Sequence, residues 1–339
     1  HAAPFFIDRA QEAGIAPTLC TYHKTVMGMM ETGVLHAPRL AVTTSCACDG
    51  NLSTFRQLGK RMNVPMVLLD VPYDNDEASI DYLAHQLREL ARTLEALTDT
   101  PFDESRLSHI LEVERETNAL AWEFMQLQAE RFYPAEFIQH LFFVLAMQLS
   151  AGSEELRDVL RFMVDDIKRA PRLEGDKILW VHLMPYYQQS LKAAFDYSPE
   201  HQIVAVDMAF CTMSPLDDSD PFRALAKKLV NNAMNGPYER KLELIDRLLD
   251  ATCADGVIHF SHWGCKQSAG GSALLREHLH KAGVPLLQLD GDGIDERNSH
   301  DGQIKTRLEA FFEVLAAARA ERKDGAAPEN NASREGGLR

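Results

Sequence analysis

Short apolar segments that alternate with helical patterns constrain the fold of this chain more than any other feature. Residues 39–44 and 64–72 are apolar and partly β-branched, which is typical of buried strands. A helical pattern over 54–62 separates them, and Asn51 or Ser53 is a candidate N-cap for that helix. A strand, a helix and a strand at this spacing predict a βαβ unit, and hence a parallel sheet.

The second part of the chain repeats this alternation. Strands are predicted at 178–183, 203–208, 257–260 and 285–290, and helices at 188–195, 238–251 and 272–282. A closing helix with one apolar face is predicted from the spacing of Ile304, Leu308, Phe311 and Leu315.

Between the two blocks, apolar residues recur every three or four positions over 77–168, which predicts a largely helical segment with breaks near Pro101 and Pro134. The fold class is therefore α/β. We expect an N-terminal α/β domain over 1–172 that includes the helical segment, and a C-terminal α/β domain over 173–320. Residues 321–339 have almost nothing to bury and are expected to be disordered.

Charge and composition narrow the possible functions. The formal net charge of −15 argues against broad binding to nucleic acid or to an anionic membrane. The chain contains no run of about 18 apolar residues, so no membrane span is predicted. The first residues lack the pattern of a signal peptide. We therefore expect a cytoplasmic protein, in which the six cysteines are reduced by default.

Three cysteines stand where parallel-sheet proteins place their sites. Cys48 follows the first predicted strand, Cys265 follows the strand at 257–260, and Cys20 directly precedes a helix. Three such thiolates can converge on one iron–sulfur cluster and leave one iron open to a substrate oxygen. Cys46 or Cys211 remains an alternative ligand, because each also lies near a strand end. Cys253, at a helix end, is expected in the core.

The segment around Cys265 contains further candidates. His262 is expected in the loop beside Cys265 as an exposed catalytic residue, whereas His259 alternates with buried strand positions and is expected to be a core histidine with satisfied hydrogen bonds. Lys266 and Gln267 are candidates for contact with an anionic ligand, or are simply solvated. No P-loop, complete dinucleotide fingerprint or G-x-S-x-G motif competes with this site.

Between about residue 20 and residue 320 the chain resembles the 2-hydroxyacyl-CoA dehydratase family, which includes benzoyl-CoA reductase subunits. The most specific match is Gly-Cys-Lys-Gln-Ser at 264–268, followed by 283–298, with Asp-Gly-Asp-Gly at 290–293, and 302–311. Shorter matches lie at 19–22, 48–50 and 64–72.

This resemblance implies two flavodoxin-like domains with an oxygen-sensitive [4Fe-4S] cluster in the cleft between them, held by Cys20, Cys48 and Cys265. It also implies a related second subunit in a heterodimer, and a separate ATP-hydrolysing iron–sulfur activator that supplies one electron.

The implied reaction removes water from an (R)-2-hydroxyacyl-CoA through a ketyl radical anion. Two alternatives stay open: a reductase subunit acting on an aromatic acyl-CoA or another small molecule, and a subunit that only relays electrons. A zinc site or a set of free thiols would be the simpler interpretation of the same cysteines.

Overall fold

The computed structural model describes residues 2–216 and 219–325. The chain begins with two helices, α1 (Ala3–Glu12) and α2 (Thr21–Glu31), which pack against each other. Strands β1 (Ala41–Thr44) and β2 (Met66–Leu69) then pair in parallel, with helix α3 (Asp49–Met62) between them in the chain. The predicted βαβ unit is therefore confirmed, although α3 begins before Asn51 and Ser53 because Cys48 is its N-cap.

The predicted helical segment is also confirmed. It consists of α4 (Glu77–Thr98), α5 (Glu104–Gln128), α6 (Phe137–Leu149) and α7 (Glu154–Ile167). The connections at 99–103 and 129–136 contain the two prolines that were expected to interrupt it. No helix in the described part of the chain is long and apolar enough to cross a bilayer.

The second block forms a four-stranded parallel sheet. Its strands are β3 (Asp176–Val181), β4 (His201–Val206), β5 (Gly256–His262) and β6 (Leu286–Gly291). The helices that connect them are α8 (Gln189–Phe195), α9 (Asp207–Phe210), α10 (Pro221–Val230), α11 (Glu239–Thr252), α12 (Lys266–Ala269) and α13 (Ser272–Lys281). A 3₁₀ turn at Glu296–Asn298 precedes α14 (Asp301–Gly325).

The strand order in this sheet is β4-β3-β5-β6. The chain moves outwards from β3 to β4 and then returns to the other side of β3 for β5, so the order reverses between β3 and β5. Ligands of open parallel sheets bind at such a switch point, beyond the carboxyl ends of the strands. The first sheet has two strands among the described residues, and the description of both halves as flavodoxin-like stays a prediction.

Two apolar cores hold these elements together. The larger core surrounds the four-stranded sheet and includes Trp180, Phe260 and Leu289, all with no exposed surface. A smaller core joins β2 and α4 to Phe222 and Val230 of α10. Helix α10 was not predicted from the sequence, and it lies on the far side of the domain boundary expected at 172/173. That boundary stays a prediction.

Both ends of the described chain are helical. The first residues form a ten-residue helix, in which Pro4 stands in the first turn, where proline is tolerated. The closing helix α14 is described as far as Gly325, and the disordered tail expected over 321–339 stays a prediction. The rest of that predicted tail, 326–339, lies outside the described residues.

A three-cysteine candidate site

Cys20, Cys48 and Cys265 all line one cavity of about 510 Å³. The cavity opens beyond the carboxyl ends of β1 and β5, where the sequence places Cys48 and Cys265. Each of the three cysteines is also the N-cap residue of a helix: Cys20 of α2, Cys48 of α3 and Cys265 of the short α12. Strand ends and helix starts therefore direct three thiols, far apart in the sequence, into the same space.

A glycine brings the segment of Cys265 against the segment of Cys20. Gly264 has a φ of 77°, and a Cβ at this position would lie 2.7 Å from the backbone nitrogen of Cys20 and 2.9 Å from the carbonyl oxygen of Thr18. Glycine alone accepts both this backbone conformation and this close approach at little cost. The Gly-Cys pair at 264–265 thus explains how two segments 245 positions apart (265 − 20) come into contact.

Each thiol of the cavity has a histidine beside it. The Sγ atom of Cys20 lies 3.2 Å from Nε2 of His262, and the Sγ atom of Cys48 lies 3.3 Å from Nε2 of His23. The Sγ atom of Cys265 lies 3.4 Å from Nε2 of His182. Imidazole N–H groups at these distances are able to donate hydrogen bonds to thiolate sulfur.

His262 lies elsewhere than predicted. It is the last residue of β5 and has no exposed surface, so the expectation of an exposed loop residue is wrong. Its Nδ1 accepts a hydrogen bond of 2.9 Å from the backbone N–H of Gly293. Because a backbone N–H only donates, Nδ1 carries the lone pair, and the ring proton is on Nε2, facing Cys20. Burial lowers the pKa of His262, which favours this neutral form.

His23 is held in a similar way beside Cys48. Its Nδ1 is 3.0 Å from the hydroxyl oxygen of Thr54, which lies on α3 beyond the cysteine. Gly50 leaves space for the ring, because a Cβ there would lie 2.6 Å from Nε2 of His23 and 3.3 Å from the sulfur of Cys48. A larger residue at position 50 would therefore press on both partners.

Burial in the cavity affects the protonation of the Cys20 thiol. Burial raises the pKa of Cys20 to about 11, and the nearby Cys265 and Cys48 contribute to this rise by charge repulsion. Backbone N–H groups of Tyr22 and His23 act in the opposite direction. A cationic partner within the cavity, such as metal ions, would therefore favour the thiolate form of Cys20.

The three remaining cysteines lie apart from the cavity. Cys46 is buried in the smaller core, and Cys211 is buried in the larger core, where its thiol donates to the carbonyl of Met208 at 3.3 Å. Cys253 is exposed at the left-handed C-cap of α11, so its expected place in the core is wrong. The described lining of the cavity includes neither of the two alternative ligands predicted from the sequence.

The structure also locates the other candidate residues in the segment around Cys265. His259 is buried as expected, but within the described structure neither of its ring nitrogens has a hydrogen-bond partner, so the expected satisfaction is wrong. Lys266 reaches across the cavity mouth to Asp49, with Nζ 2.7 Å from Oδ2, and both side chains are exposed. The amide of Gln267 donates to the carbonyl of Met234 at 3.0 Å.

His23 and His182 were missed by sequence reasoning. His182 directly follows β3, so the strand-end rule that selected Cys265 also applies to it. The predicted strand at 178–183 concealed this position because it ended too late. His23 lies three residues after Cys20, but its actual partner is Cys48, which only the packing of α2 against α3 brings close.

Three thiols around one cavity are the type of donor that iron–sulfur clusters bind. Within the described residues no three His, Cys, Asp or Glu side chains converge closely enough to hold one metal ion. In a cluster of several irons each thiolate would bind a different iron atom, so the sulfurs need not converge on one point. The donor set is therefore compatible with a cluster.

Fold and cavity together define the class: an α/β protein with parallel sheets and a three-cysteine site at the carboxyl ends of strands. The sequence profile of the family described as 2-hydroxyglutaryl-CoA dehydratase, D-component, matches residues 1–315. The chain therefore belongs to this family.

Characterised relatives are distant but match almost the whole chain. The (R)-phenyllactyl-CoA dehydratase alpha subunit of Clostridium sporogenes is 22% identical, over 91% of this chain and 80% of the relative. The (R)-2-hydroxyisocaproyl-CoA dehydratase alpha subunit of Clostridioides difficile is 21% identical, over 90% and 79%. A benzoyl-CoA reductase subunit from Thauera aromatica is 24% identical, over 92% and 80%.

Proposed function

We propose that this chain is the iron–sulfur subunit of a 2-hydroxyacyl-CoA dehydratase, a hydro-lyase that removes water from an (R)-2-hydroxyacyl-CoA. The observation that carries the proposal is the convergence of Cys20, Cys48 and Cys265 on one cavity. In the sequence these residues are 28 (48 − 20) and 217 (265 − 48) positions apart, so their meeting is a property of the fold. The dehydratase alpha subunits among the relatives support the reaction class.

In this proposal the three thiolates hold a [4Fe-4S] cluster between the predicted domains 1–172 and 173–320. When bound, the cluster supplies an iron without a protein thiolate, which can act as a Lewis acid toward a substrate oxygen. Nε2 of each of the three histidines, His23, His182 and His262, faces one of the three sulfurs, and a proton on that nitrogen would let the ring donate to the thiolate and hold its position. The catalytic role predicted for His262 becomes, in this proposal, a positioning role exerted through Cys20.

The cavity has the features needed to receive an acyl thioester. Its volume of about 510 Å³ is within the range of small-molecule sites. Lys266 is exposed at the mouth, where its ammonium group could exchange its surface partner Asp49 for the phosphates of a CoA ester. Tyr238 and Leu274 provide an apolar part of the wall, which excludes water from the acyl group.

The proposed reaction needs two protein partners in the cytoplasm of an anaerobic cell. A related second subunit would complete a heterodimer, and an ATP-dependent iron–sulfur activator would deliver one electron. The thioester carbonyl is then reduced to a ketyl radical anion, the 2-hydroxyl group leaves, and the electron is returned after the β-proton is lost. Water is removed without net reduction of the substrate.

One relative suggests a second candidate function. The benzoyl-CoA reductase subunit is 24% identical to this chain, so it is about as distant as the two dehydratase relatives at 22% and 21%. A reductase of an aromatic acyl-CoA would use the same three thiols but would consume electrons and ATP in proportion to product. A relay subunit would show no turnover until a catalytic partner was added.

Iron and sulfide analysis of anaerobically purified protein tests the proposal. We expect a brown protein that loses most of its iron and sulfide when Cys20, Cys48 or Cys265 is changed to Ser. Cys253→Ser is the matched control, because Cys253 is exposed and lies outside the cavity. Unchanged iron in Cys265→Ser would contradict the proposal.

Turnover measurements then separate the reactions. With activator and partner subunit present, loss of the hydroxyl group with only catalytic electron input supports dehydration. Stoichiometric use of ATP and electrons would instead identify a reductase.

A further inference from the structure

The function proposed above does not use a buried ion pair between Lys241 and Asp207. Nζ of Lys241, on α11, is 3.3 Å from Oδ2 of Asp207, the residue that directly follows β4. Their side chains are 1% and 0% exposed. Within the described structure neither of these two atoms makes a well-aligned hydrogen bond. An ion pair of this kind costs desolvation energy that it only partly recovers, so it is a weak source of stability.

The other oxygen of Asp207 has a specific partner. Oδ1 accepts a hydrogen bond of 2.7 Å from the backbone N–H of His182. His182 has a φ of 78°, a left-handed conformation that is costly for a residue with a side chain. The carboxylate therefore stabilises a backbone turn that His182 would otherwise avoid.

This turn determines where the imidazole of His182 points. His182 directly follows β3, and Nε2 lies 3.4 Å from the sulfur of Cys265 beyond the neighbouring strand β5. The two other histidines of the site are fixed through their own rings, by the N–H of Gly293 and the hydroxyl of Thr54. Nδ1 of His182 has no such partner among the described residues. His182 is therefore held through its backbone N–H and not through its ring.

We propose that Asp207 is a positioning residue for the cysteine site: with its charge balanced by Lys241, it holds His182 in the turn that presents a ring N–H to Cys265. This inference rests on the function proposed above, because the sulfur is taken to be a cluster ligand. Hydrogen bonds to ligand sulfur help to set the reduction potential of iron–sulfur clusters, and partners of ligands affect metal retention.

Two double variants isolate the hydrogen bond from the charge. Asp207→Leu with Lys241→Met removes the ion pair and the acceptor for the N–H of His182. Asp207→Asn with Lys241→Met also removes both charges but keeps an oxygen in place of Oδ1. Both leave a neutral interior, and the first replaces a buried pair by apolar groups, which proteins often tolerate.

The measurement is the rate at which anaerobic protein loses iron to excess bathophenanthroline, with the midpoint potential from a redox titration followed by EPR. We expect the Leu/Met variant to lose iron about tenfold faster than wild type and to have a lower potential. The Asn/Met variant is expected to behave like wild type in both. A merely structural pair would change the melting temperature but leave the two variants alike in iron loss and potential, and that result would overturn the inference.

A third variant keeps the test decisive if the Leu/Met protein does not fold. His182→Gly removes the imidazole but accepts the left-handed backbone. It is expected to lose iron about tenfold faster than wild type, and a wild-type rate would overturn the inference. Wild-type protein without iron or sulfide would be a different result, because it would overturn the proposed function and this inference with it.

Discussion

At the scale of single residues, Gly50 is predicted to be essential for the placement of His23. Gly50→Ala would put a Cβ 2.6 Å from Nε2 of a buried ring, so we expect the ring to move away from Cys48 and the free energy of unfolding to fall by about 1–3 kcal/mol. Urea unfolding and a crystal structure of the variant would measure both effects.

The control for this substitution is Gly302→Ala. Gly302 is the second residue of α14, as Gly50 is of α3, but nothing lies within 4 Å of its potential Cβ. There the lost flexibility of glycine predicts a gain of about 0.4–1 kcal/mol. Equal effects at both positions would show that His23 adapts without cost.

His259 is predicted to make the protein sensitive to acid. Burial, with the nearby Lys241 as a second cause, lowers the pKa of His259 to about 4. The unfolded chain therefore binds this proton at a higher pH than the folded chain, and stability is lost as the pH falls from about 6.5 toward 4.

We expect wild type to lose about 2 kcal/mol more unfolding free energy than His259→Leu between pH 7.5 and pH 5, measured by urea unfolding. His85→Gln serves as the control, because its side chain is 72% exposed and changes its surroundings little on folding. Parallel pH profiles for wild type and His259→Leu would refute the prediction.

The positions of the ligand candidates could be predicted from the sequence, whereas their surroundings could not. Cys48 and Cys265 were found because the carboxyl ends of parallel strands meet at one edge of a sheet. His262 was selected as a neighbour of Cys265, but its actual partner is Cys20, and His23 beside Cys48 was not found. Both pairs join segments across distances that no sequence pattern encodes.

At the scale of elements, the loop from β5 to α12 supplies a prediction. In Gly264→Ala the new Cβ would meet the backbone of Cys20, so we expect the two ligand segments to separate. The variant should melt at a lower temperature. If the proposed function holds, it should also retain much less iron than wild type after anaerobic purification.

Gly283→Ala is the matched control for the loop. Gly283 also has a positive φ, 68° against 77° at Gly264, but its potential Cβ has open space. It should show only the cost of the left-handed backbone, about 1 kcal/mol, and any iron bound by wild type should be retained. If the two variants retained iron equally, the contact between 264 and Cys20 would not matter for the site.

The places of the strands along the chain were predicted because each strand is a short apolar run between turn residues. Their order within the sheet was not predicted. Their ends were less certain: β5 continues past Phe260 to His262, which turns His262 from a loop residue into a buried strand residue. Helix α10 was missed although the sequence carries its signals: Asp220 caps it and Pro221 stands in its first turn. Its apolar residues also recur at helical spacing, at Phe222, Leu225, Ala226, Leu229 and Val230.

At the scale of the whole molecule, the sequence indicated two α/β blocks but not how they are joined. Helix α10 follows β4 in the chain and yet packs with α4 in the smaller core. Arg88 of α4 pairs with Asp220 and lies over the ring of Phe222, 5.1 Å from its centroid. Contacts between segments so distant in the chain follow from packing, which local patterns do not contain.

Phe222 is therefore predicted to couple the unfolding of the two blocks. Phe222→Ala should reduce the free energy of unfolding by about 3–5 kcal/mol and move one common transition seen by fluorescence and by circular dichroism. Phe142→Ala, whose ring is 56% exposed, should change stability by no more than about 0.5 kcal/mol. A separate early transition that alone responds to Phe222→Ala would show that the blocks unfold independently.

The contact between Gly264 and Cys20 also has a consequence for the order of events during synthesis. A ribosome adds about 5–20 residues per second, so the 217 positions (265 − 48) between Cys48 and Cys265 take about 10–40 seconds to appear. During that interval the nascent chain contains Cys20 and Cys48, but Cys265 has not yet been synthesised. Under the proposed function, delivery of iron and sulfide to this site is therefore a step that follows translation of most of the chain.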